Sequence, residues 1–265
     1  MKADYHIHTA LCGHARGTVD ELVESAIEKG LSEVGIADHS PLLFAENPGL
    51  AMSIGELPVY VEQVLAAKAR YRGRIEVRLG IEADYHGPTQ EERVAMLREY
   101  PFDYIIGSVH VLGDWIFDSP FELHRYDGLD LDDFYTDYFR EVLAMVKTGI
   151  YDIVGHADLA KKFDKRPSID LSPLYRELLL AMKEHKTCYE VNTAGLRWPV
   201  RELYPEGLFV RIAAELGVPA TLGSDAHGPE DVGRDFDKAL DILMEAGYEE
   251  IATFEARSMR LAPLG

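Results

Sequence analysis

Short apolar runs, polar clusters and amphipathic segments follow one another along the whole chain in a repeated order. Each apolar run is bounded by polar or turn-forming residues and is too short for a typical helix, so we interpret it as a buried strand. The predicted strands cover residues 3–8, 34–37, 75–81, 104–109, 152–155, 187–189 and 219–223.

Segments with apolar residues at helical spacing follow these runs. The first predicted helix begins after Thr18, a favourable N-cap residue, and ends before Gly30. The predicted helices cover residues 19–29, 57–72, 90–100, 131–147, 171–185, 205–216 and 232–246. Residues 111–128 are interpreted as an irregular insertion, and the tail at 251–264 is expected to return towards the body of the protein.

Strands that alternate with helices predict an α/β fold with a parallel sheet. The number of units favours closure into a TIM-like (β/α) barrel, and residues 1–265 are expected to form a single domain. An open, doubly wound sheet is the alternative. Neither glycine-rich nucleotide-binding fingerprint occurs in the sequence, so no nucleotide cofactor is expected.

The charge of the chain narrows the possible partners. A net charge of −19 repels nucleic acid and anionic membranes, so we expect neither as a partner. No apolar stretch approaches the roughly 20 residues that a membrane span needs. Asp4 and His6 stand where a signal peptide needs an apolar run, which predicts a cytoplasmic protein.

Two further features of composition add expectations about origin and redox chemistry. The two cysteines, Cys12 and Cys188, cannot form a disulfide framework, and only a packing role is expected for Cys12. Asparagine and glutamine occur at only four positions, namely 47, 63, 90 and 192. Depletion of these thermolabile residues suggests a thermophilic source.

The first strand carries the first sign of chemistry. His6 and His8 are two residues apart, so their side chains lie on one face of a strand. Two imidazoles in this arrangement make half of a metal site. In a parallel α/β barrel the carboxyl ends of all strands meet on one face, so ligands from other strand ends could complete the site.

The later strand ends supply the remaining ligands. Of the ten histidines, seven lie at or just after predicted strand ends, and the carboxylates of Glu82 and Asp225 occupy similar positions. These histidines are His6, His8, His14, His39, His110, His156 and His227. Each alone could be a structural residue, but together they predict a metal site with several ions.

Several short segments of the chain resemble the motifs of a known protein family. The segments that carry the resemblance are Asp4–Thr9, Ala37–His39, Gly80–Glu82, Gly107–His110, Gly155–His156 and Ser224–His227. They look like the motifs of the PHP (polymerase and histidinol phosphatase) superfamily and span nearly the whole chain. The resemblance implies a distorted seven-stranded (β/α) barrel. The loops Cys12–His14, Ile106–His110 and Glu190–Arg197 point to the histidinol-phosphate phosphatase branch.

The resemblance also implies three divalent ions, with zinc, iron and manganese all compatible with the ligand types. One ion would be held by His6, His8, Glu82 and Asp225. A second would share Glu82 and add His110 and His156. The third would take His14, His39 and His227.

The implied reaction is hydrolysis of L-histidinol phosphate in histidine biosynthesis. A hydroxide held between the two ions that share Glu82 would attack the phosphorus, and the third ion would bind phosphate and steady the leaving alkoxide. Glu82, Asp225, His227 and Arg197 are the candidate catalytic residues.

Contacts to the substrate can be expected at several positions. Arg197 is the first candidate for phosphate, because its planar guanidinium suits bidentate recognition. Ser108, Asn192 and Lys161 are further candidates, whereas Lys162 is expected to be solvated. A carboxylate at the rim, Asp84 or Asp158, could bind the substrate amine.

Two alternatives remain open. One is another PHP hydrolase that acts on a nucleotide or sugar phosphate, or as an exonuclease. The other is a metal-dependent binding module without catalysis. The nearly complete ligand set argues against the second, and the strong negative charge argues against a nucleic-acid substrate. The sequence makes no prediction of oligomeric state.

Overall fold

The computed structural model describes residues 2–44 and 49–264. The strands are β1 (Ala3–Asp4), β2 (Glu33–Ile36), β3 (Glu76–Leu79), β4 (Glu82–Asp84), β5 (Ile106–Ser108), β6 (Val111–Leu112), β7 (Trp115–Ile116), β8 (Ile153–Val154), β9 (Cys188–Asn192), β10 (Ala220–Gly223), β11 (Glu250–Glu255) and β12 (Ser258–Pro263). The α-helices are α1 (Val19–Glu28), α2 (Leu57–Arg70), α3 (Gln90–Leu97), α4 (Leu131–Lys147), α5 (Ser172–His185), α6 (Gly207–Leu216) and α7 (Phe236–Glu245). Short 3-10 helices cover Ala10–Cys12, Gly87–Thr89, Pro120–Tyr126, Leu159–Lys161, Ala194–Arg197 and Pro229–Asp231.

The predicted helices are all present, with small shifts at their ends. Helix α4 has the predicted bounds. Helix α1 begins as predicted, because the Thr18 hydroxyl accepts a hydrogen bond from the Glu21 amide and the Glu21 carboxylate accepts one from the Thr18 amide. Helix α7 begins four residues later than predicted, since the chain first forms a separate 3-10 turn at 229–231.

The prediction of an α/β fold with parallel strands is confirmed, but the strands divide into several sheets. Strands β1, β2 and β3 form one parallel sheet, and a second parallel sheet has the order β10-β9-β8-β5-β4. A single closed sheet is therefore not seen in the described residues. The division falls within the third predicted strand, because β3 pairs with β2 whereas β4 pairs with β5.

Backbone hydrogen bonds connect the two parallel sheets on both sides. On one side the Ala226 amide donates to the His6 carbonyl at 3.2 Å. On the other side the Glu82 amide donates to the Asp38 carbonyl at 3.0 Å, and the Glu82 carbonyl accepts from Ser40 at 2.8 Å. The carboxyl ends of strands from both sheets consequently lie at one common edge.

Two hairpins lie outside these parallel sheets. The predicted insertion contains the short antiparallel pair β6–β7, and the tail forms the antiparallel pair β11–β12 beside β10. The tail therefore returns to the body of the protein, as predicted. Among the described helices none has the length and apolarity needed to cross a membrane.

A buried tyrosine fills the space between the two sheets. The Tyr104 side chain is fully buried, and its hydroxyl donates to the Tyr5 carbonyl at 2.6 Å. Gly35 and Gly80 lie against the phenol ring, where an added Cβ atom would overlap it. The absence of a side chain at these two positions is therefore a packing requirement, and Gly80 is also where the chain passes from β3 towards β4.

Substitution of Gly80 should test this packing. In Gly80→Ala the new Cβ would lie 2.6 Å from Tyr104 Cε2, and the anchored ring has no free space into which to move. We expect a loss of about 1–3 kcal/mol in the free energy of unfolding, measured by chemical denaturation. Gly55→Ala is the matched control, because its Cβ would meet only Ser53 Oγ at 4.0 Å. Equal stability of the two variants would contradict this account of the core.

Candidate metal centre

Imidazole and carboxylate groups from both parallel sheets meet at the common edge. His6 and His8 follow β1 and are fully buried, and Glu82 at the start of β4 is buried with them. His156 and Asp225 follow β8 and β10, and both have positive φ angles, of 23° and 52°. Such angles are strained for residues other than glycine and recur at functional sites.

The innermost group consists of His6, His8, Glu82 and Asp225. His8 Nε2 lies 3.1 Å from Asp225 Oδ1, and His6 Nε2 lies 3.4 Å from Glu82 Oε2. His6 Nε2, His8 Nε2 and Glu82 Oε2 are buried, and none of them makes a well-aligned hydrogen bond to another described residue. Buried polar atoms are rarely left unsatisfied, so these three atoms fit a shared ligand such as a metal ion.

A second group shares Glu82. His156 Nε2 lies 3.1 Å from Glu82 Oε1, His110 Nε2 lies 3.7 Å from the same oxygen, and the two Nε2 atoms are 3.2 Å apart. The two oxygens of one carboxylate thus face two different groups of imidazoles.

A third group lies nearer to the surface. His14 Nε2 and His227 Nε2 are 3.0 Å apart. His39 is close to both rings, with ring centroids 5.3 Å from His14 and 6.1 Å from His227. Its Nδ1 atom, however, lies 2.8 Å from Glu82 Oε2, so His39 stands between the outer and inner groups.

Carboxylates outside these groups orient several of the imidazoles. Glu190 lies 2.9 Å from His6 Nδ1, Asp38 lies 3.4 Å from His8 Nδ1, and Asp84 lies 2.7 Å from His110 Nδ1. With Nδ1 held in this way, Nε2 is directed at the centre of the site, as in carboxylate–histidine–metal arrangements. Sequence reasoning gave these carboxylates no such role, although each also stands at or near a strand end.

The electrostatics of the cluster couple carboxylates to imidazoles. Burial opposes the charged form of His6, but Glu190, Glu82 and Asp225 hold its pKa well above the usual range. Burial likewise opposes the charged form of His110, yet Asp84 and Glu82 raise its pKa to about 10.

The outer imidazoles behave differently. Burial and neighbouring imidazoles lower the pKa of His14 and of His227. Burial raises the pKa of the nearby Cys12 thiol to about 12, and its Sγ atom donates to the Thr9 carbonyl. A thiol that stays protonated is a poor metal ligand, which fits a packing role for Cys12.

The donor set fits divalent transition-metal ions. It combines imidazole nitrogens with carboxylate oxygens, which suit zinc, iron and manganese. The innermost group gives a second, independent indication of a metal site. Three of its buried atoms make no well-aligned hydrogen bond to another described residue, and an ion between them would satisfy all three.

A pocket of about 470 Å³ opens onto the cluster. Apolar and aromatic side chains form much of its wall, and Arg197, Lys162, Asp118 and Asp231 are its charged residues outside the metal groups. The apolar and aromatic residues include Leu50, Ile116, Phe121, Trp198 and Tyr204. A pocket of this size suits a small molecule.

Arg197, the first candidate for a phosphate contact, lies on the wall of the pocket beside the cluster. Its Nη2 atom donates to the Ser224 carbonyl at 2.6 Å, which fixes the guanidinium next to the Asp225 segment. Its Nη1 atom is buried and has no hydrogen-bond partner among the described residues. A guanidinium with one anchored and one unused nitrogen is well suited to an anionic ligand in the pocket.

Both neighbouring lysines are buried, and neither has the environment predicted for it. Lys161 is buried away from the pocket, and its Nζ contacts Asp158 at 2.8 Å and Glu202 at 3.2 Å, which argues against a substrate contact. Lys162 is not solvated but lines the pocket, and its Nζ atom lies 4.0 Å from the centroid of the Trp198 ring. Of the two lysines, Lys162 and not Lys161 is the one placed to contact a ligand in the pocket.

Ser108 and Asn192 also have structural partners where substrate contacts were predicted. Ser108 is fully buried and donates to Glu82 Oε1 at 2.6 Å. Asn192 is fully buried and donates to Glu190 at 2.7 Å, with Asp225 Oδ2 at 3.4 Å. Both side chains therefore position carboxylates of the cluster.

The expected amine contact needs a similar correction. Asp84 is buried against His110, and Asp158 is buried against Lys161, so neither is free at the rim. In the part of the chain that the structure describes, Asp118 and Asp231 are the carboxylates that line the pocket outside the metal groups.

Comparison with known proteins identifies the family of the chain. The model of the PHP domain matches residues 4–194. The chain belongs to the PHP domain family. The associated C-terminal model of PHP proteins matches residues 208–235.

Individual PHP relatives match over nearly their full length. A probable histidinol-phosphatase from Deinococcus radiodurans is 40% identical over 97% of this chain and 98% of its own. The histidinol-phosphatase of Bacillus subtilis is 30% identical over 91% and 99%. A solved structure of histidinol phosphate phosphatase from Lactococcus lactis, in complex with zinc, L-histidinol and phosphate, has a TM-score of 0.84 at 24% identity and 98% coverage of both chains.

Substitution of Glu190 tests whether the outer carboxylates orient the imidazoles of the site. Glu190→Gln keeps the shape of the side chain but removes the charge beside His6 Nδ1. We expect a 10- to 100-fold loss of affinity for zinc, a magnitude usual for such outer partners, measured by competition with a chromophoric chelator. Glu245→Gln, at the end of α7, is the control. Unchanged zinc affinity in Glu190→Gln would exclude the orienting role.

Proposed function

We propose that this protein is a metal-dependent phosphomonoesterase that hydrolyses L-histidinol phosphate to L-histidinol and phosphate, a reaction of histidine biosynthesis. The observation that carries the proposal is the buried Glu82 carboxylate, whose two oxygens face two groups of imidazoles beside the Arg197 guanidinium. The names of the full-length relatives support the choice of substrate.

We infer three ion positions from the three groups. His6, His8, Glu82 and Asp225 would hold the first ion. Glu82 would be shared with a second ion held by His110 and His156, and His14, His39 and His227 would hold the third. We also infer that the two parallel sheets act as halves of one distorted seven-stranded barrel, with these ligands at its carboxyl edge.

Bound divalent ions would supply hydroxide near neutral pH and neutralise charge on the phosphoryl group, both of which hydrolysis of a phosphate monoester needs. The chain itself holds this chemistry in place. Ser108 and Asn192 fix the Glu82 and Asp225 carboxylates by hydrogen bonds. Arg197 would bind the phosphoryl oxygens through its unused Nη1.

The rest of the pocket would bind the organic part of the substrate. Trp198, Phe121 and Ile116 provide apolar surface for an imidazole ring. Asp118 and Asp231 are the carboxylates available for the ammonium group, although Lys162 and Arg234 already contact them at 3.0 Å and 2.6 Å. Water outside the metal groups would be displaced as the ring enters.

Zinc binding should release protons. In the metal-free protein the pKa of His6 is raised well above its usual range, that of His8 to about 9 and that of His110 to about 10. Such pKa shifts favour the protonated rings at pH 7, and a metal ion binds only the neutral ring, so loading of these ligands should release up to about three protons. Calorimetry of zinc binding in buffers of different ionisation enthalpy measures this number. Binding enthalpies that are equal in all buffers would contradict the ligand assignment.

The substrate can be tested by phosphate release from a matched set of monoesters. The metal-loaded protein should turn over histidinol phosphate with a higher kcat/KM than either its analogue without the amine or phenyl phosphate. A contact between a charged amine and a carboxylate contributes about 1.5–3 kcal/mol, so the first two substrates should differ by roughly 10- to 150-fold.

Arg197→Ala separates phosphate binding from recognition of the organic part. It should lower kcat/KM for all three monoesters by a similar factor, because the phosphate is common to them. Equal kcat/KM for the three substrates in the unmodified protein would exclude histidinol phosphate as the preferred substrate. Phosphate release that persists after verified metal removal would exclude the metal-dependent reaction.

A further inference from the structure

A second groove, of about 560 Å³, lies on the outer side of Arg197. It is lined by Leu196, Arg197, Arg201, Arg234, Asp235 and Lys238. We propose that this outer groove is an anion site that binds phosphate next to the metal pocket, on the path by which phosphate groups reach or leave that pocket. The path rests on the proposed phosphatase function, whereas binding of phosphate in the groove does not.

The charge of the groove is opposite to that of the protein. Four cationic side chains line it, while the carboxylates of Asp235 and the adjacent Asp231 offset two of them. The groove therefore has two more positive than negative charges, although the net charge of the whole chain is −19. A phosphate dianion, repelled by most of the surface, would be attracted to this place.

The groove and the metal pocket share one guanidinium. Arg197 lines both cavities, so an anion in the outer groove and an anion in the inner pocket would contact the same side chain. Its anchored Nη2 contacts Ser224, and its Nη1 is buried without a partner. Movement of phosphate between the two cavities would thus exchange one set of contacts to Arg197 for another.

The cations of the groove stand on backbone that is held in place. The Arg201 guanidinium donates to the Leu196 carbonyl at 3.1 Å, which closes the loop after β9. The Arg234 carbonyl accepts from Thr193 Oγ1 at 2.8 Å, and the Gly233 amide donates to the buried Asp4 at 2.9 Å. The backbone that carries Arg201 and Arg234 is therefore held in place beside Arg197, which favours a defined binding site.

Two consequences follow for a substrate with a doubly charged phosphate. Within a Debye length of about 8 Å at physiological ionic strength, the outer groove would raise the local concentration of the substrate. The same attraction would hold the phosphate product after hydrolysis. Both effects weaken as salt is added.

Binding can be tested without any measurement of turnover. The metal-loaded protein is treated with phenylglyoxal, which modifies arginine, in inorganic phosphate or in chloride at equal ionic strength, and peptides are quantified by mass spectrometry. Phosphate should slow the modification of Arg201 and Arg234 but not that of Arg176, an exposed arginine that lines neither cavity. Lys238→Gln should weaken this protection. Equal modification of Arg201 in phosphate and chloride would overturn the proposal.

The path is tested by kinetics with matched charge changes. The double variant Arg201→Gln with Lys238→Gln should lower kcat/KM for histidinol phosphate by about three- to tenfold at low ionic strength, with little difference in 1 M salt. Arg176→Gln with Lys183→Gln removes the same charge from the outer surface of α5 and is the control. An equal loss in the two double variants would overturn a path through the groove. If histidinol phosphate is not turned over at all, the protection experiment still decides whether the groove binds phosphate.

Discussion

The structure depends most on the buried carboxylate of Glu82 and the imidazoles around it. A fully buried carboxylate without compensation is very costly, and here the cost is offset by His6, His39, His110 and His156 on all sides. On one side of the fold, Glu82 also makes the backbone hydrogen bonds that connect the two parallel sheets. The chemistry of the site and the assembly of the fold therefore meet in one residue.

Around this residue the functional groups are arranged in layers of increasing exposure. The innermost imidazoles are buried and held by carboxylates such as Glu190 and Asp38. The pocket outside them has apolar walls and the guanidinium of Arg197, and the groove beyond Arg197 is rich in cations. Positive charge thus lies beside the pocket as well as within it.

The sequence predicts well where helices and strands lie and that the strand ends meet at one edge. Both follow from the local pattern of residues and from the rules of parallel α/β folds. The bounds of α4 and the N-cap at Thr18 depend on neighbours in the chain, and strand ends share one edge in any parallel α/β fold. Sequence does not show which way a side chain turns within a short helical turn. Lys161 and Lys162 are adjacent, yet one enters a buried ion-pair cluster and the other enters the pocket. The need for glycine at position 80 likewise comes from the Tyr104 ring, which is distant in the sequence.

The connection of the two sheets through ligand-bearing segments also links metal supply to the amount of folded protein. If ions bind as proposed, their ligands include residues of β4 and of the segments after β1, β8 and β10, so ions would bind the assembled sheets and not the unfolded chain. Each site with free metal at 100 times its dissociation constant would then add about 2.7 kcal/mol to folding. In a cell short of metal the chain would lose this contribution and become an easier target for proteolysis, so its abundance would vary with metal availability.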